Sequence, residues 1–335
     1  MNSLIEQLPE SRQIFVRLEG IFMPHMRKRR DALYSQSKGD GSTARFVHYT
    51  TAEAALSIIS SKRIWMRNTT CMSDYREVQH GHQMLVGFFA DKHRKETFIN
   101  AIDTCAPGVA MEAIALFDQW WANIQFSTYI SSVSEHDDTE DAHGRLSMWR
   151  AFGASTARVA IVLNVPWFTG ASEALNISFS PVSYLKELES YEILSAIPRF
   201  VLDNGDFIRS VDRQIVLNSV FDMLVANVTC LKHEGFHEER EWRTIYAPQS
   251  SPSALMTSEI VSVSGVPQTV YQLPLDRTVD NAVSGLDLAN IFDRLIIGPS
   301  QFPLAMHEAF TRTLTDIGVP SAAGHVFVSG IPIRS

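Results

Sequence analysis

Apolar positions along this 335-residue chain follow two spacings, one typical of helices and one typical of strands. Residues 1–44 carry apolar side chains at near-helical spacing up to a turn-like stretch from Lys38 to Ser42, which predicts a helical N-terminal extension. Beyond it, the pattern predicts strands at 45–48, 64–68, 126–133, 159–165, 177–184, 239–246, 294–297 and 325–328, and helices at 52–61, 75–103, 109–121, 185–197, 207–230 and 304–315. Because these elements do not alternate as regular βαβ units, we expect an α+β fold. The predicted organisation is one domain over 45–335, with a helical insertion around 75–121.

The composition indicates a globular protein without an overall basic character. The chain is 45% hydrophobic, and its 29 basic and 37 acidic residues give a net charge of −8. One dense basic run, Arg27-Lys28-Arg29-Arg30, is either a solvated helix face or a local contact for nucleic acid. The three cysteines lack CxxC spacing, and no apolar run approaches the ~20 residues of a membrane helix. These features predict a cytoplasmic protein with no disulfide framework and no membrane partner.

The stretch FVHYTTAEAAL, residues 46–56, joins a predicted strand to a predicted helix. Thr50 and Glu53 have the spacing of a capping box, which places the helix start directly after His48 and Tyr49. A helix start offers unpaired N–H groups and a positive dipole end to an anion such as phosphate. His48, Tyr49 and Thr50 are therefore candidate ligand contacts. The alternative is a buried histidine and a packing tyrosine at the end of a strand.

Two polar stretches flank a loop in the middle of the chain. The first, residues 131–135, includes Ser132, and the second, residues 147–153, contains Trp149 and Arg150. Tryptophan and arginine side by side suit stacking on an aromatic ring and pairing with a phosphate. Alternatively, Trp149 is a core anchor and Arg150 is a surface cation.

The stretch HEEREWRTIY, residues 237–246, carries a third polar cluster. If it is a strand from its first glutamate onward, period-two geometry puts Glu239, Glu241 and Arg243 on one face, with Trp242 on the other. Two carboxylates and a guanidinium are costly to bury without partners. That face is therefore predicted either to meet water or to form a polar site.

Motifs for metals and common cofactors are sparse. His80 and His82 lack further ligands at a recognisable spacing, and His233 with His237 lacks the glutamate of an HExxH site. The GxGxxG, GxxxxGK[ST] and GxSxG patterns are missing. We therefore expect no metal cofactor and none of the protein classes that those patterns define.

An ordered set of short stretches runs along residues 45–335: His48-Tyr49-Thr50, Trp65 with Asn68, Asp74 with Glu77, Ser132-Val133-Ser134-Glu135, Met148-Trp149-Arg150, Glu239-Arg240-Glu241-Trp242-Arg243, Ile297-Gly298-Pro299 and Ser329-Gly330-Ile331-Pro332-Ile333-Arg334. Taken together, these stretches resemble the DUF2971 family, an uncharacterised bacterial family of unknown function. That family in turn resembles the ADP-ribosyltransferase superfamily, whose members carry an early-strand His or Arg, a Tyr or Ser on a middle element and a Glu on a later strand.

This resemblance implies an ADP-ribosyltransferase-like fold of mixed sheets and an enzyme that uses NAD⁺ as a substrate. Glu241 or Glu239 would stabilise the ribose cation, and His48 would position the adenosine-side ribose, with Thr50 and Ser132 nearby. Trp149 or Tyr49 would stack on nicotinamide, and Arg150 or Arg243 would hold the pyrophosphate. The implied acceptor is a macromolecule, protein or nucleic acid, with a role as a toxin or phage-defence effector and an inhibitory or antitoxin partner protein.

Two other classes of function are compatible with the same residues. The first is a non-catalytic sensor that binds a nucleotide or nucleic acid and acts through a partner protein. The second is a nuclease in which Asp74, Glu77, Glu239 and Glu241 surround Mg²⁺, since carboxylates suit that ion.

Overall fold

The computed structural model describes residues 5–37, 41–72, 75–151 and 157–332, and its architecture is mixed α/β with a mixed sheet. The helices are α1 (Glu10–Phe22), α2 (Pro24–Ser35), α3 (Ala52–Ser61), α4 (Tyr75–Ala90), α5 (Lys92–Cys105), α6 (Val109–Phe126), α7 (Leu146–Ala151), α8 (Ala171–Ala174), α9 (Glu187–Asp203), α10 (Gly205–Ser210), α11 (Arg213–Thr229), α12 (Leu288–Ile291) and α13 (Pro303–Asp316). Short 3₁₀ segments include Asp138–Glu140 and Glu234–Glu239.

The strands are β1 (Thr43–Thr51), β2 (Arg63–Asn68), β3 (Tyr129–Glu135), β4 (Arg158–Pro166), β5 (Ile177–Pro181), β6 (Ser183–Tyr184), β7 (Leu231–Lys232), β8 (Glu241–Tyr246), β9 (Thr257–Val263), β10 (Val266–Pro274), β11 (Phe292–Ile297) and β12 (Val326–Val328). Contacts divide the chain into two compact units. The first comprises Met1–Gln36, Asn68–Thr128 and Ser180–His237, and the second comprises Ser37–Arg67, Tyr129–Phe179 and Glu238–Ser335.

The first unit is mainly helical and has its own core. Helix α11 packs against α1, α4 and α6, and α9 packs against α5. Leu18 and Phe22 of α1 are buried in the same cluster as Phe98 of α5 and Val216 of α11. The predicted N-terminal extension and the predicted helical insertion therefore share one core. The division into a 1–44 extension and a 45–335 domain stays a prediction. The division by contacts is different, because it groups Met1–Gln36 with Asn68–Thr128 and Ser180–His237 in one unit.

The second unit is built on a ten-stranded sheet in the order β12-β11-β4-β1-β3-β2-β10-β9, with β8 paired to β3 and β5 paired to β8. Strands β11 and β12 run parallel, whereas β4 is antiparallel to β1 and to β11. Ile161 and Leu163 of β4 are buried with Leu295 of β11 and Phe310 of α13. The central strands are thus fixed by burial, which also fixes their register.

The junction between β1 and β3 positions the polar clusters. Strand β1 pairs with β4 along its whole length, from Thr43 opposite Pro166 to Thr51 opposite Arg158. It pairs with β3 at Phe46 opposite Glu135 and at Val47 opposite Ser134. His48 follows this short ladder directly, so it lies beside β3 where the two strands separate.

Most predicted elements are present, and several boundaries near the clusters differ, including the cap of α3 and the start of β3. Helix α3 begins at the predicted residue, but its cap is Thr51, whose side chain accepts a hydrogen bond from the Ala54 amide at 3.1 Å. The predicted capping box of Thr50 with Glu53 is therefore wrong by one position, because Thr50 still belongs to β1 opposite Val159. Strand β3 begins at Tyr129 rather than at 126, since α6 continues through Phe126.

In the described part of the chain, no single helix has both the length and the apolar character needed to cross a membrane. The helices α5 and α6 pass that test only as a pair, and they are bent by 119° at their break.

Candidate functional site

Three side chains from β3 and β8 form the centre of the candidate site. In the antiparallel ladder, Ser132 lies opposite Arg243 and Ser134 lies opposite Glu241, so these residues share one face of the sheet. The Ser132 hydroxyl donates to Glu241 Oε1 at 2.5 Å. Arg243 Nε donates to Glu241 Oε1 at 2.9 Å, and Arg243 Nη2 donates to Oε2 at 3.2 Å. The carboxylate is therefore held by a guanidinium fork and a hydroxyl at once.

The Glu241–Arg243 pair is buried. The side chain of Glu241 is 6% exposed and that of Arg243 is 1% exposed. A buried charge is tolerated only when it is paired and hydrogen-bonded, because the interior replaces the water that would otherwise solvate it. Burial of this pair is therefore tolerated only while both partners are present. The pair also holds the Glu241 carboxylate in one orientation.

His48 contacts this centre from β1 through the backbone of Ser132, because the register that puts Val47 opposite Ser134 leaves the His48 side chain on the other face of the sheet from Glu241. Its Nδ1 lies 2.9 Å from the Ser132 backbone oxygen. A carbonyl oxygen can only accept, so this contact assigns the proton to Nδ1. Burial lowers the pKa of His48, although the contact with Ser132 acts in the opposite direction. The neutral ring then carries a lone pair at Nε2, which can accept a hydrogen bond from a hydroxyl group.

Tyr49 and Trp149 lie in a small core cluster of the same unit. Their rings meet edge to face with centroids 4.9 Å apart, and they are 8% and 6% exposed. The Tyr49 hydroxyl accepts a hydrogen bond from the Arg145 amide at 2.7 Å, and burial raises the pKa of Tyr49 to about 12. The Trp149 indole donates to the His143 carbonyl at 2.8 Å. Both rings pack the structure, as the alternative interpretation expected, and neither presents an open face for stacking.

Two glycines leave the space that Trp149 fills. A Cβ atom at Gly298 would come within 2.9 Å of the indole ring, and one at Gly144 would come within 2.8 Å. Real Cβ atoms essentially never approach another heavy atom so closely. The glycine of the Ile297-Gly298-Pro299 motif therefore has a packing role.

The remaining predicted residues occupy other positions in the fold. Glu239 ends a 3₁₀ segment, and β8 begins only at Glu241 because Arg240 adopts a left-handed conformation with φ of 45°. The predicted row of Glu239, Glu241 and Arg243 on one strand face is therefore wrong for Glu239. Arg150 is exposed in the last turn of α7, and Thr50 is half-buried in β1. Asp74 and the Glu77 side chain, which the nuclease hypothesis needs, lie outside the described residues.

A charge network that the sequence did not reveal holds the loop between β3 and α7. Arg45 reaches Asp141 and Asp293 at 2.6 Å each, and Arg145 donates to Glu140 Oε1 at 2.9 Å. Further ion pairs join Arg45 to Asp138, Arg240 to Asp137 and Glu140, and Arg294 to Asp141 and Asp293. The acidic run at 137–141 was the available signal, but its arginine partners are scattered along the chain. The network fixes the loop that carries His143 and Gly144 against Trp149.

The basic run in α2 also takes part in ion pairs. Arg27 is 8% exposed, and its Nε lies 2.8 Å from Asp31 Oδ1. Arg30 Nη2 lies 3.1 Å from Glu19 Oε1. Arg27 and Arg30 therefore fit neither the solvated-face nor the nucleic-acid interpretation of this run, because both form ion pairs within the helical unit.

The chain is thus a mixed α/β protein whose sheet carries a buried polar cluster at the junction of β1, β3 and β8. Residues 148–244 match the model of a family described as "Protein of unknown function (DUF2971)". The match runs from α7 to β8 and includes Trp149, Arg150, Glu241 and Arg243, but neither His48 nor Ser132. No curated protein and no solved structure gives a significant match to this chain.

Proposed function

We propose that the cluster of His48, Ser132, Glu241 and Arg243 binds NAD⁺ and that the protein transfers ADP-ribose to a macromolecular acceptor. The observation that carries this proposal is that three polar clusters far apart in the sequence meet at strand β3. His48 contacts the backbone of Ser132, whose side chain contacts Glu241, which is held by Arg243. A fixed carboxylate and a neutral imidazole thus both contact Ser132, and the resemblance to ADP-ribosyltransferases implies a role for each.

The proposed chemistry assigns the central role to Glu241. When the bond between the ribose C1′ and nicotinamide breaks, its electron pair leaves with nicotinamide and the sugar gains oxocarbenium character. A carboxylate held close to the ribose stabilises that charge more strongly in the transition state than in the ground state. The acceptor nucleophile then bonds to C1′ and releases its proton to solvent. Ser132 and Arg243 position the carboxylate in this scheme, since both donate to it.

The other contacts follow from exposure and hydrogen-bonding capacity. His48 Nε2 accepts a hydrogen bond from a ribose hydroxyl. The pyrophosphate is assigned to Arg150, which is exposed, because Arg243 is already paired with Glu241. Nicotinamide stacking by Tyr49 or Trp149 is left out of the proposal, since both rings are buried.

A second candidate function is a nucleotide-binding sensor without catalysis. The burial of Glu241 favours it, because the carboxylate already accepts hydrogen bonds from Ser132 and Arg243. In this case the protein binds its ligand without turnover and acts through a partner protein.

The test is to incubate the purified protein with adenine-labelled NAD⁺ and either cell lysate or purified nucleic acids. We expect nicotinamide release and label on an acceptor. Glu241→Gln should lower the rate by about 10²–10³-fold, as removal of one transition-state stabiliser does. Glu308→Gln, an exposed glutamate of α13 in the same unit, is the matched control and should leave the rate unchanged.

Each outcome separates the candidates. Saturable NAD⁺ binding without nicotinamide release supports the sensor. Release that survives in Glu241→Gln within a few-fold refutes the role of Glu241. Label that ends only in free ADP-ribose indicates that water is the acceptor.

A further inference from the structure

Strand β9 forms one edge of the ten-stranded sheet, and its side chains are all exposed or half-buried. In the described part of the chain, the sheet has no strand beyond it. An edge strand offers unpaired N–H and C=O groups to another strand, so native proteins shorten it, bend it with a bulge, or place lysine or proline on it. The opposite edge, β12, has only three residues, whereas β9 has seven, with no lysine, no proline and no bulge in its pairing with β10.

The turn of the β9–β10 hairpin determines which main-chain groups of β9 point outward. Ser264 and Gly265 have positive φ angles of 52° and 82°, as in a two-residue loop of type I′. The two residues that flank such a loop exchange both of their hydrogen bonds, and hydrogen-bonded pairs then alternate with non-hydrogen-bonded pairs along the ladder. Ser258, Ile260 and Ser262 fall in the non-hydrogen-bonded pairs, so their N–H and C=O groups point away from β10.

The two prolines of β10 agree with this alternation. Pro267 lies opposite Ser262, in a pair where the main-chain nitrogen points away from β9. Pro274 lies two residues beyond Gln272, which is the last β10 residue paired with β9. Proline cannot donate to a ladder, and at these two positions the hairpin needs no donor.

The outward-pointing residues of β9 are arranged symmetrically about Ile260. Ser258 and Ser262 lie two positions to either side of it, and all three exposed side chains share one face of the sheet. Ile260 is 77% exposed. When two copies of β9 align antiparallel about a two-fold axis at Ile260, this residue meets its own copy and each Ser258 meets a Ser262. A patch that is complementary to itself in this way suits an isologous interface, whereas pairing with an unrelated strand would not require the symmetry.

The charge on β9 favours the same register. Glu259 is the one charged residue of the strand, and the axis at Ile260 places it opposite Val261 of the second copy. An axis at Glu259 would set the two carboxylates directly opposite each other, which is destabilising. An axis at Val261 would leave Thr257 and Ser258 without a partner residue. Ile260 is therefore the centre that pairs the whole strand without opposing like charges.

We propose that β9 pairs with β9 of a second copy of this chain, so that the two sheets become one across a two-fold axis. The main-chain groups of Ser258, Ile260 and Ser262 form the hydrogen bonds, and the Ile260 side chains meet at the axis. Strand addition of this kind draws its affinity from main-chain hydrogen bonds. Because one pair of strands is a small interface, we expect a reversible, concentration-dependent dimer. The proposal does not depend on the NAD⁺ chemistry and can be tested without NAD⁺.

The experiment is sedimentation equilibrium of the full chain over a wide range of protein concentrations. We expect the parent to show a monomer–dimer equilibrium. Ile260→Lys and Ile260→Glu should each weaken self-association by at least about tenfold, because each sets two like charges opposite one another at the axis. An equimolar mixture of these two variants should restore the dimer, because a lysine of one copy then faces a glutamate of the other.

Two further variants separate the edge of β9 from a general effect of charge. Leu304→Lys places a lysine at another exposed apolar position, 82% exposed, on α13 of the same unit, and should dimerise as the parent does. Ser262→Pro removes one outward N–H and adds no charge. Because that N–H points away from β10, this variant should keep the hairpin and its thermal stability while its dimer is weakened.

The proposal is overturned if the parent stays monomeric at every concentration, or if Ile260→Lys dimerises as strongly as the parent. A mixture of Ile260→Lys and Ile260→Glu that associates no better than either variant alone refutes the pairing about Ile260. A parent that stays monomeric but binds an unrelated extended peptide at β9 assigns the edge to a different partner and also refutes it. If Ile260→Lys does not fold, Ser262→Pro decides the question, since a dimer of unchanged strength in that variant excludes main-chain pairing at this edge.

Discussion

Removing Arg243 should destabilise the protein strongly, because it leaves the Glu241 charge buried without the guanidinium that holds it. The Glu241 side chain is 6% exposed, and the two contacts from Arg243 measure 2.9 and 3.2 Å. Loss of one partner of a buried ion pair typically costs about 3–5 kcal/mol, mostly from the uncompensated charge. We therefore expect Arg243→Met, a change that keeps much of the side-chain volume, to lower the free energy of unfolding by about that amount.

The double variant separates the missing ion pair from a general packing defect. In Glu241→Gln with Arg243→Met, no charge is left unpaired within this pair, so the loss should be smaller than the sum of the two single losses by about 1–3 kcal/mol. Arg199→Met is the control, because Arg199 and Asp203 form an exposed pair whose side chains are 85% and 62% exposed. Arg199→Met should lower the free energy of unfolding by less than about 1 kcal/mol.

The assay is urea unfolding at pH 7, followed by tryptophan fluorescence, with the slope of the transition compared among variants. Equal slopes allow the free energies to be compared directly. If Arg243→Met costs no more than the Arg199 control, or if the losses of the two single variants simply add, the carboxylate does not depend on the guanidinium and our description of the centre is wrong.

Two further predictions concern packing and pH. Gly298→Ala should lower the free energy of unfolding by about 1–3 kcal/mol, because its Cβ would come within 2.9 Å of the Trp149 ring. Gly170→Ala, whose Cβ would meet no atom within 4 Å, should lower it far less, and thermal melting of the two variants measures the difference. Burial lowers the pKa of His25 to about 4, and both ring nitrogens are buried without a hydrogen-bond partner among the described residues. Since the pKa of a histidine in the unfolded chain is about 6.5, the free energy of unfolding should fall as the pH drops from 7 towards 4. His25→Leu should remove about 3 kcal/mol of that fall. The measurement is the free energy of unfolding at pH 7 and at pH 4, with His93→Asn, a change at an exposed histidine, as the control. An equal fall between the two pH values in His25→Leu and His93→Asn would contradict this reasoning.

The sequence predicted the elements around the site because their periodicity is local. Val159–Val165 reads as a buried strand, and the structure gives Arg158–Pro166. The period-two placement of Glu241 with Arg243 is also confirmed, because both lie on β8 and face the same way. The error at Glu239 has a local cause, the left-handed conformation of Arg240, which the composition of the stretch does not reveal.

The parts of the site that could not be predicted depend on contacts distant in sequence. The contact of His48 with Ser132 depends on how far β1 and β3 stay paired, and the sequence pattern of either strand alone does not set that length. Likewise, burial of Trp149 requires glycine at positions 144 and 298, which lie 154 residues apart in the chain. Such complementarity becomes visible only when the sheet is assembled.

The most direct measurement of the central claim is the rate of nicotinamide release from NAD⁺ by the parent protein and by Glu241→Gln, with Glu308→Gln alongside. The account predicts release by the parent and by Glu308→Gln, and a rate about 10²–10³-fold lower for a folded Glu241→Gln. Equal rates in the parent and Glu241→Gln, or no release by the parent with any acceptor, would contradict it.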